Sequence, residues 1–432
     1  MAPNNSRTTR PSLPLMILGT LAVLLAGLLC ALLPHGASAA GRAPVAHQAK
    51  TGCASPYPAK RDPANPLDLP GAPGSNPLNG ARFTDPGAYG GNYAATAIAD
   101  LLGINPESLS PTQSWAQFQQ MIESGPQQAK LNADPALAKQ VDALAMIADQ
   151  PQAQRISTYS WGGTPSGIGK QTRKLFCQIA ASDPGTVPLI TTYFLHPNLG
   201  GCATTAQIDA YMPRFKAQIN AMVKATGRRP AVYLLELDAI GSSVCMARNG
   251  ALPAWEAALR YEMNAVQSLP HTVVYVEGGY SDSNSVGYTA RILKAIDIKS
   301  IRGFFTNDTH NQWTSSTMDW ANSVANRTGA HYIVNTSDNG QGPKLNLHPQ
   351  TQGVENLCNP PGRGLGIEDT TDTGSAHADG FLWTHSPGMS AGTCGGGPAS
   401  GFWVAKAEGE AARANGQLGP GFPSQPYNAP TL

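Results

Sequence analysis

The chain has 432 residues, with 29 Lys and Arg set against 28 Asp and Glu, so its formal net charge is +1. With neither a basic excess nor an acidic field, the balance speaks against a partner chosen by charge, nucleic acid above all. Only 13% of residues are charged, while 46 are Gly and 36 are Pro, which suits a loop-rich extracellular protein; the charge balance permits a neutral partner without pointing to one.

The first 39 residues read as an export signal rather than as fold. Arg7 and Arg10 form a basic n-region, residues 15–33 carry no charge, and Ala37-Ser38-Ala39 supplies the small residues that a signal peptidase needs. Cleavage there predicts a secreted protein. The alternative is a membrane anchor through residues 15–33, a stretch just long enough to span a bilayer. Cys30 lies inside this stretch and leaves with the signal. Cys53, Cys177, Cys202, Cys245, Cys358 and Cys394 remain, and outside the cytoplasm they can form three bridges in any of the connectivities open to six. None belongs to a CxxC pair and no Cys/His cluster has zinc spacing, so neither metal nor cofactor is expected. No GxGxxG or P-loop pattern is present, which sets nucleotide chemistry aside.

Residues 40–75 are rich in Pro, Gly, Ala and Asn and lack apolar periodicity. They read as a linker or an extended wrap over the domain surface, with Cys53 able to pin it. Two helical stripes follow, one through Trp115, Phe118, Met121 and Ile122, the other through Leu137, Val141, Leu144 and Ile147. Short β-branched or aromatic runs then appear at Ile156–Ser160, Leu189–Tyr193, Ala231–Glu236, Val273–Glu277, Arg302–Thr306, Tyr332–Asn335 and Gly380–Trp383. Helical stretches at Thr205–Thr226, Pro253–Leu269, Val286–Ile298 and Ser315–Thr328 separate several of them. This alternation predicts an α/β fold with a parallel sheet or barrel and helices outside. Function in such folds gathers at the C-terminal ends of the strands.

Three of those ends carry polar side chains and glycines. Ala231–Glu236 runs into Leu237-Asp238, the next strand ends on Glu277-Gly278-Gly279, and Tyr332-Ile333-Val334 ends on Asn335-Thr336-Ser337-Asp338-Asn339-Gly340. A carboxyl group at an apolar strand end is desolvated, which suits it to proton transfer near neutral pH; helix capping is the competing role. Trp161, Tyr193, Trp313 and Trp383 lie at or near strand ends, where an aromatic face can stack on a sugar ring, with core packing as the competing role.

In these residues the sequence resembles glycoside hydrolase family 6, the inverting cellobiohydrolases and endoglucanases. The family's Glu-Pro-Asp strand end matches Leu235-Glu236-Leu237-Asp238, and its Tyr-Phe-Asp-Ala-Gly-His matches Tyr275-Val276-Glu277-Gly278-Gly279-Tyr280. Its Gly-x-x-Thr-Asn run, followed by a Trp, matches Gly303-Phe304-Phe305-Thr306-Asn307 and Trp313. Its Asp-Thr-Ser-Arg-Asn-Gly matches Asn335-Thr336-Ser337-Asp338-Asn339-Gly340. Leu357-Cys358-Asn359, Gly362-Arg363-Gly364-Leu365-Gly366, Asp372-Thr373-Gly374 and Phe381-Leu382-Trp383 follow in the family's order.

The resemblance covers residues 76–418 and leaves 419–432 as a tail. It implies a distorted parallel β/α barrel, TIM-like, of about seven strands with helices outside. It implies bridges Cys202–Cys245 and Cys358–Cys394, with Cys53 and Cys177 left over as candidates for a third. It also implies Asp238 as general acid, and Tyr193, Asn307, Trp313, Trp383 and His385 as substrate contacts.

Departures cluster where the family keeps its other carboxylates. An inverting glycosidase needs an acid on the leaving oxygen and a base for the attacking water. The family's Trp-Ile-Lys-x-Pro-Gly-Glu-x-Asp-Gly reads Trp383-Thr384-His385-Ser386-Pro387-Gly388-Met389-Ser390-Ala391-Gly392 here, so alanine stands at the base position. The second family aspartate, before the first disulfide cysteine, is also absent from Tyr193-Phe194-Leu195-His196-Pro197-Asn198-Leu199-Gly200-Gly201-Cys202. Glu277, Asp338, Glu368, Asp369, Asp372 or His385 are the candidates to have taken over the base. Two function classes stand: a secreted hydrolase of β-1,4-glucan or a related polysaccharide, weak on ordinary cellulose, and a non-catalytic glycan-binding protein on the same fold. The partner in either class is a poly- or oligosaccharide, and a monomer is expected.

Overall fold

The computed structural model of the chain describes residues 53, 55–85, 92–105, 108–110, 113–159, 163–343 and 358–420. The export segment, Trp161 and the end of the C-terminal tail lie outside them. Among the described residues no helix is long and apolar enough to cross a membrane.

Seven strands form one parallel sheet in sequence order: β1 Gln154–Ser157, β2 Leu189–Tyr193, β3 Ala231–Leu235, β4 Thr272–Glu277, β5 Gly303–Thr306, β6 His331–Asn335 and β7 Ala378–Leu382. Each coincides, to within a few residues at its ends, with a run expected from the sequence. Ala153 N–H donates to the Trp383 carbonyl at 3.0 Å, so the sheet curls until its two edges meet at one backbone hydrogen bond. The result is the distorted parallel barrel with helices outside.

The strands are apolar on both faces because both faces are covered. Ile190, Tyr233, Leu235, Val274, Val276 and Phe304 face the outer helices. Their alternate neighbours, among them Leu189, Val232, Leu234, Val273, Tyr275 and Phe305, form a separate interior cluster. The longest outer helix, Thr205–Thr226, begins with a capping box in which Thr204 accepts from Gln207 N–H and the Gln207 side chain accepts from Thr204 N–H. Such a cap contributes about 1 kcal/mol and sets where the helix starts.

The Pro/Gly-rich N-terminal stretch does more than cross the surface. Leu67, Leu69, Leu78 and Phe83 join the interior cluster, each 9% exposed or less. Backbone contacts place this segment at the N-terminal ends of the strands: Thr84 N–H donates to Val187 O, Arg61 donates to Thr272 O, and Asn76 donates to Asp379 O. The same end is sealed by Arg302, bidentate to Asp379 at 2.7 Å on both oxygens, with Tyr275 donating to the carboxylate at 2.7 Å. One mouth of the barrel is thereby filled, and open chemistry is left to the opposite, C-terminal end.

Three disulfides are formed, Cys53–Cys177, Cys202–Cys245 and Cys358–Cys394, with Cα separations of 5.2, 5.0 and 5.9 Å. They include the two pairs that the family resemblance implied and the third left over from it.

Candidate active site

At the C-terminal mouth the chain leaves β3 and β5 through residues with positive φ: Glu236 (51°), Asp238 (61°) and Asn307 (68°). Non-glycine residues pay a conformational cost there, and such positions gather at functional sites. Asp238 is half-buried. Its Oδ1 accepts from Tyr280 Oη at 2.6 Å and from Thr309 Oγ1 at 3.2 Å, so β4 and β5 both position a carboxyl that β3 presents.

The other carboxylates differ sharply in their freedom. Glu236 is fully buried and accepts from Phe194 N–H and Leu195 N–H, fixing the turn after β2; burial pushes its pKa up to about 7. Glu277 is also fully buried, and its oxygens accept from the backbone N–H groups of Ile240, Gly241 and Gly279. Burial, and then the charge of Asp238, push its pKa up to about 8. It anchors the helix Ala239–Arg248 behind Asp238, with its oxygens engaged by three backbone amides. Asp338 is 3% exposed and pairs through Oδ2 with His385 Nε2 at 3.4 Å. Burial works to raise its pKa, but the charge and hydrogen bond of His385, then Arg363, hold it well below the usual carboxylate range.

Asp369 and Asp372 belong to a strand-like run antiparallel to β7, in which Thr370 pairs with Phe381. Asp369 Oδ1 accepts from Trp383 N–H at 2.6 Å, and burial raises its pKa well above normal. Asp372 is exposed, and the run carries it toward the start of β7, away from the C-terminal mouth. Neither makes a hydrogen bond to Asp238 or its partners.

One buried carboxylate escaped the sequence reading. Asp308 follows Asn307 at the end of β5, is 1% exposed, and accepts on Oδ1 from Thr384 Oγ1. Its Oδ2 has no hydrogen-bond donor among the described residues. Burial raises its pKa; the charges of His385 and Arg155 work to lower it and that of Asp238 to raise it. The signal was present, since Asp308 is an acid at the end of an apolar strand, like Glu236 and Asp238.

The expected substrate contacts divide. Tyr193 is half-buried beside Asp238, with its hydroxyl on His196 Nδ1 at 2.9 Å and Arg155 over its ring. Trp313 is half-buried and has Gly342 packed against its indole, leaving no room for a Cβ there. His385 keeps 18% of its side chain exposed beside Asp338.

Two of the expected contacts are buried. Trp383 is 0% exposed, lies in the core with the helices Tyr93–Leu102 and Pro135–Ala148, and donates its indole N–H to Ile367 O. Strand alternation carries it, like Phe381, to the outer face of β7 rather than to the barrel mouth. Asn307 is 2% exposed and spends its amide on Gln312 and Asn335 backbone groups, bracing the loop rather than facing a ligand.

Ala391, at the family's base position, is exposed and gives its N–H to Asn359 Oδ1. Among the described residues no group of three or more His, Cys, Asp or Glu is arranged to hold a metal ion.

The sequence and the fold have known counterparts. The family model for Glycosyl hydrolases family 6 matches residues 119–416. Endoglucanase 1 of Streptomyces halstedii is 27% identical over 282 residues, covering 62% of this chain and 79% of that one. Endoglucanase A of Thermobispora bispora is 29% identical over 214 residues, and the match spans 48% of this chain but only 45% of that relative's length. Among solved structures, the endoglucanase Cel6 from Mycobacterium tuberculosis, in complex with methyl-cellobiosyl-4-deoxy-4-thio-β-D-cellobioside, superposes with a TM-score of 0.55 at 29% identity, over 68% of this chain and 95% of that one. Endoglucanase CEL6B from Humicola insolens, at 19% identity and a TM-score of 0.56, shares the fold.

Proposed function

The chain belongs to the glycosyl hydrolases family 6, and from that premise we propose that it hydrolyses β-1,4-glucan, with inversion at the anomeric carbon and Asp238 as the general acid. The observation that carries this reading is the seat of Asp238. Two hydroxyl donors, from the loops that follow β4 and β5, hold one of its oxygens, which orients the other toward a leaving group without loss of conformational freedom at each turnover. Tyr193 and Trp313 offer partly exposed aromatic faces for sugar rings, and His385 offers a polar contact. The relatives named above are endoglucanases, which favours the same substrate class. Residues 1–39 deliver the protein outside the cell, where its three disulfides are stable.

Exposed Ala391 favours a second reading, a glycan-binding protein without turnover. One experiment separates the two. Purified protein is incubated with cellohexaose and the first products are followed by NMR. The hydrolase reading expects α-anomeric product from the wild type and none from Asp238→Asn. Binding without product would establish the second reading, and β-anomeric product would end the inverting mechanism.

A further inference from the structure

We propose that Asp308 is the general base that takes the proton of the attacking water, a carboxylate supplied from the end of β5 in place of the one missing at position 391. The inference rests on the hydrolase reading above and adds the group that reading lacks.

Position comes first. Asp308 is the chain neighbour of Thr309, whose hydroxyl lies 3.2 Å from Asp238 Oδ1. Consecutive Cα atoms are about 3.8 Å apart. The two carboxyls of an inverting pair stand about 6.5–9.5 Å apart, with the water between one of them and the sugar. A residue adjacent to a direct partner of the acid is within reach of that span.

Freedom comes second. Oδ1 of Asp308 is oriented by Thr384 Oγ1, while Oδ2 has no donor among the described residues although the side chain is buried. Buried polar atoms are nearly always paired, and an exception calls for a ligand, a water or a chemical role. Glu277 faces three backbone amides and Asp338 is paired with His385. Asp369 also has an oxygen without a donor among the described residues, but it sits beside the Trp383 amide and Glu368, whereas Asp308 lies within the charge field of Asp238.

Proton affinity agrees with this assignment. Burial raises the pKa of the Asp308 carboxyl, which makes it a stronger proton acceptor than an exposed aspartate. His385, whose own pKa Asp338 raises against the effect of burial, limits that rise.

The step balances. The water oxygen bonds to the anomeric carbon as the bond from that carbon to the glycosidic oxygen breaks. The Asp238 proton passes to the departing oxygen, and the water proton passes to Asp308 Oδ2. Exchange with solvent then returns Asp308 to carboxylate and Asp238 to acid.

The test uses two substrates, cellohexaose and a dinitrophenyl β-cellobioside whose leaving group needs no acid. Asp308→Ala should lower kcat by ~10²–10⁴ on both, because water must be activated whatever departs. Asp238→Ala should lower it on cellohexaose far more than on the aryl glycoside. Azide, an anion that needs no deprotonation, should rescue Asp308→Ala and give α-cellobiosyl azide. Wild-type kcat in Asp308→Ala on both substrates would overturn the assignment while leaving the hydrolase reading intact. A wild type that cleaves neither substrate would overturn the hydrolase reading and this inference with it. Should Asp308→Ala fail to fold, Thr384→Val decides. Loss of the hydroxyl that orients Asp308 should lower kcat about tenfold with KM unchanged, and an unchanged kcat would overturn the proposal.

Discussion

Tyr280 donates its hydroxyl to Asp238 Oδ1 at 2.6 Å while its ring stacks on His310 with centroids 3.9 Å apart. His310 is held in turn by Asp282 at 2.8 Å, so the acid is positioned by a phenol that is itself clamped between a strand end and a loop. Tyr280→Phe keeps the stack and deletes the donor. Its expected effect is a kcat about tenfold lower with KM nearly unchanged, measured on cellohexaose, because only the orientation of Asp238 is disturbed.

Aromatic substitutions should separate by burial. Trp383→Ala removes a fully buried indole and is expected to cost about 3–5 kcal/mol of stability, read as a large fall in the denaturant midpoint. Trp313→Ala and Tyr193→Ala act on half-buried rings at the mouth and should raise KM several-fold with a smaller loss of stability. The opposite ranking would mean that the mouth has been assigned to the wrong face of β7.

Restoring the family's carboxylate at position 391 should do little. Ala391 is exposed and its backbone is tied to Asn359, so Ala391→Asp would place the new charge in solvent. With Asp308 as base, kcat in Ala391→Asp is expected within about twofold of wild type. A gain of tenfold or more would show that the base was missing.

Stability should fall as pH rises through neutrality. The Glu277 carboxyl has an ordinary value of 4.5 and is pushed up to about 8, so the folded state binds this proton more tightly than the unfolded state. Its contribution is fully present below pH 4.5, declines as pH rises from there, and is gone above about 8. Glu236 and Glu410, both raised to about 7, act with the same sign. Tm should therefore be higher at about pH 5 than at about pH 8, and Glu277→Gln should flatten the dependence. A Tm that climbs over this interval would show that the buried acids are ionised without penalty.

The strands and the main outer helices were legible because period-two and helical stripes carry them, and the polar strand ends are found together at the C-terminal mouth of the barrel. Side-chain direction beyond those ends was not legible. Asn307, at φ 68°, turns back into its own loop, where its amide is consumed, and the next residue, Asp308, keeps one oxygen without a donor among the described residues. Trp383 obeyed the alternation of β7, which a motif match does not report. Leu67 and Leu69 lacked periodicity because they fill an interior from an irregular segment, and irregular segments have no stripe to read.

The seating of that segment also dictates an order of events. Asn76 bonds to the backbone of Asp379, 303 positions later, and Leu67, Leu69, Leu78 and Phe83 pack against strands that include β6 and β7. At about 5–20 residues per second, roughly 15–60 s of synthesis separate the two partners. During that interval the interior that receives the four apolar side chains is incomplete, since Ile333 and Leu382 belong to it. The barrel floor can close only after the final strand has been delivered.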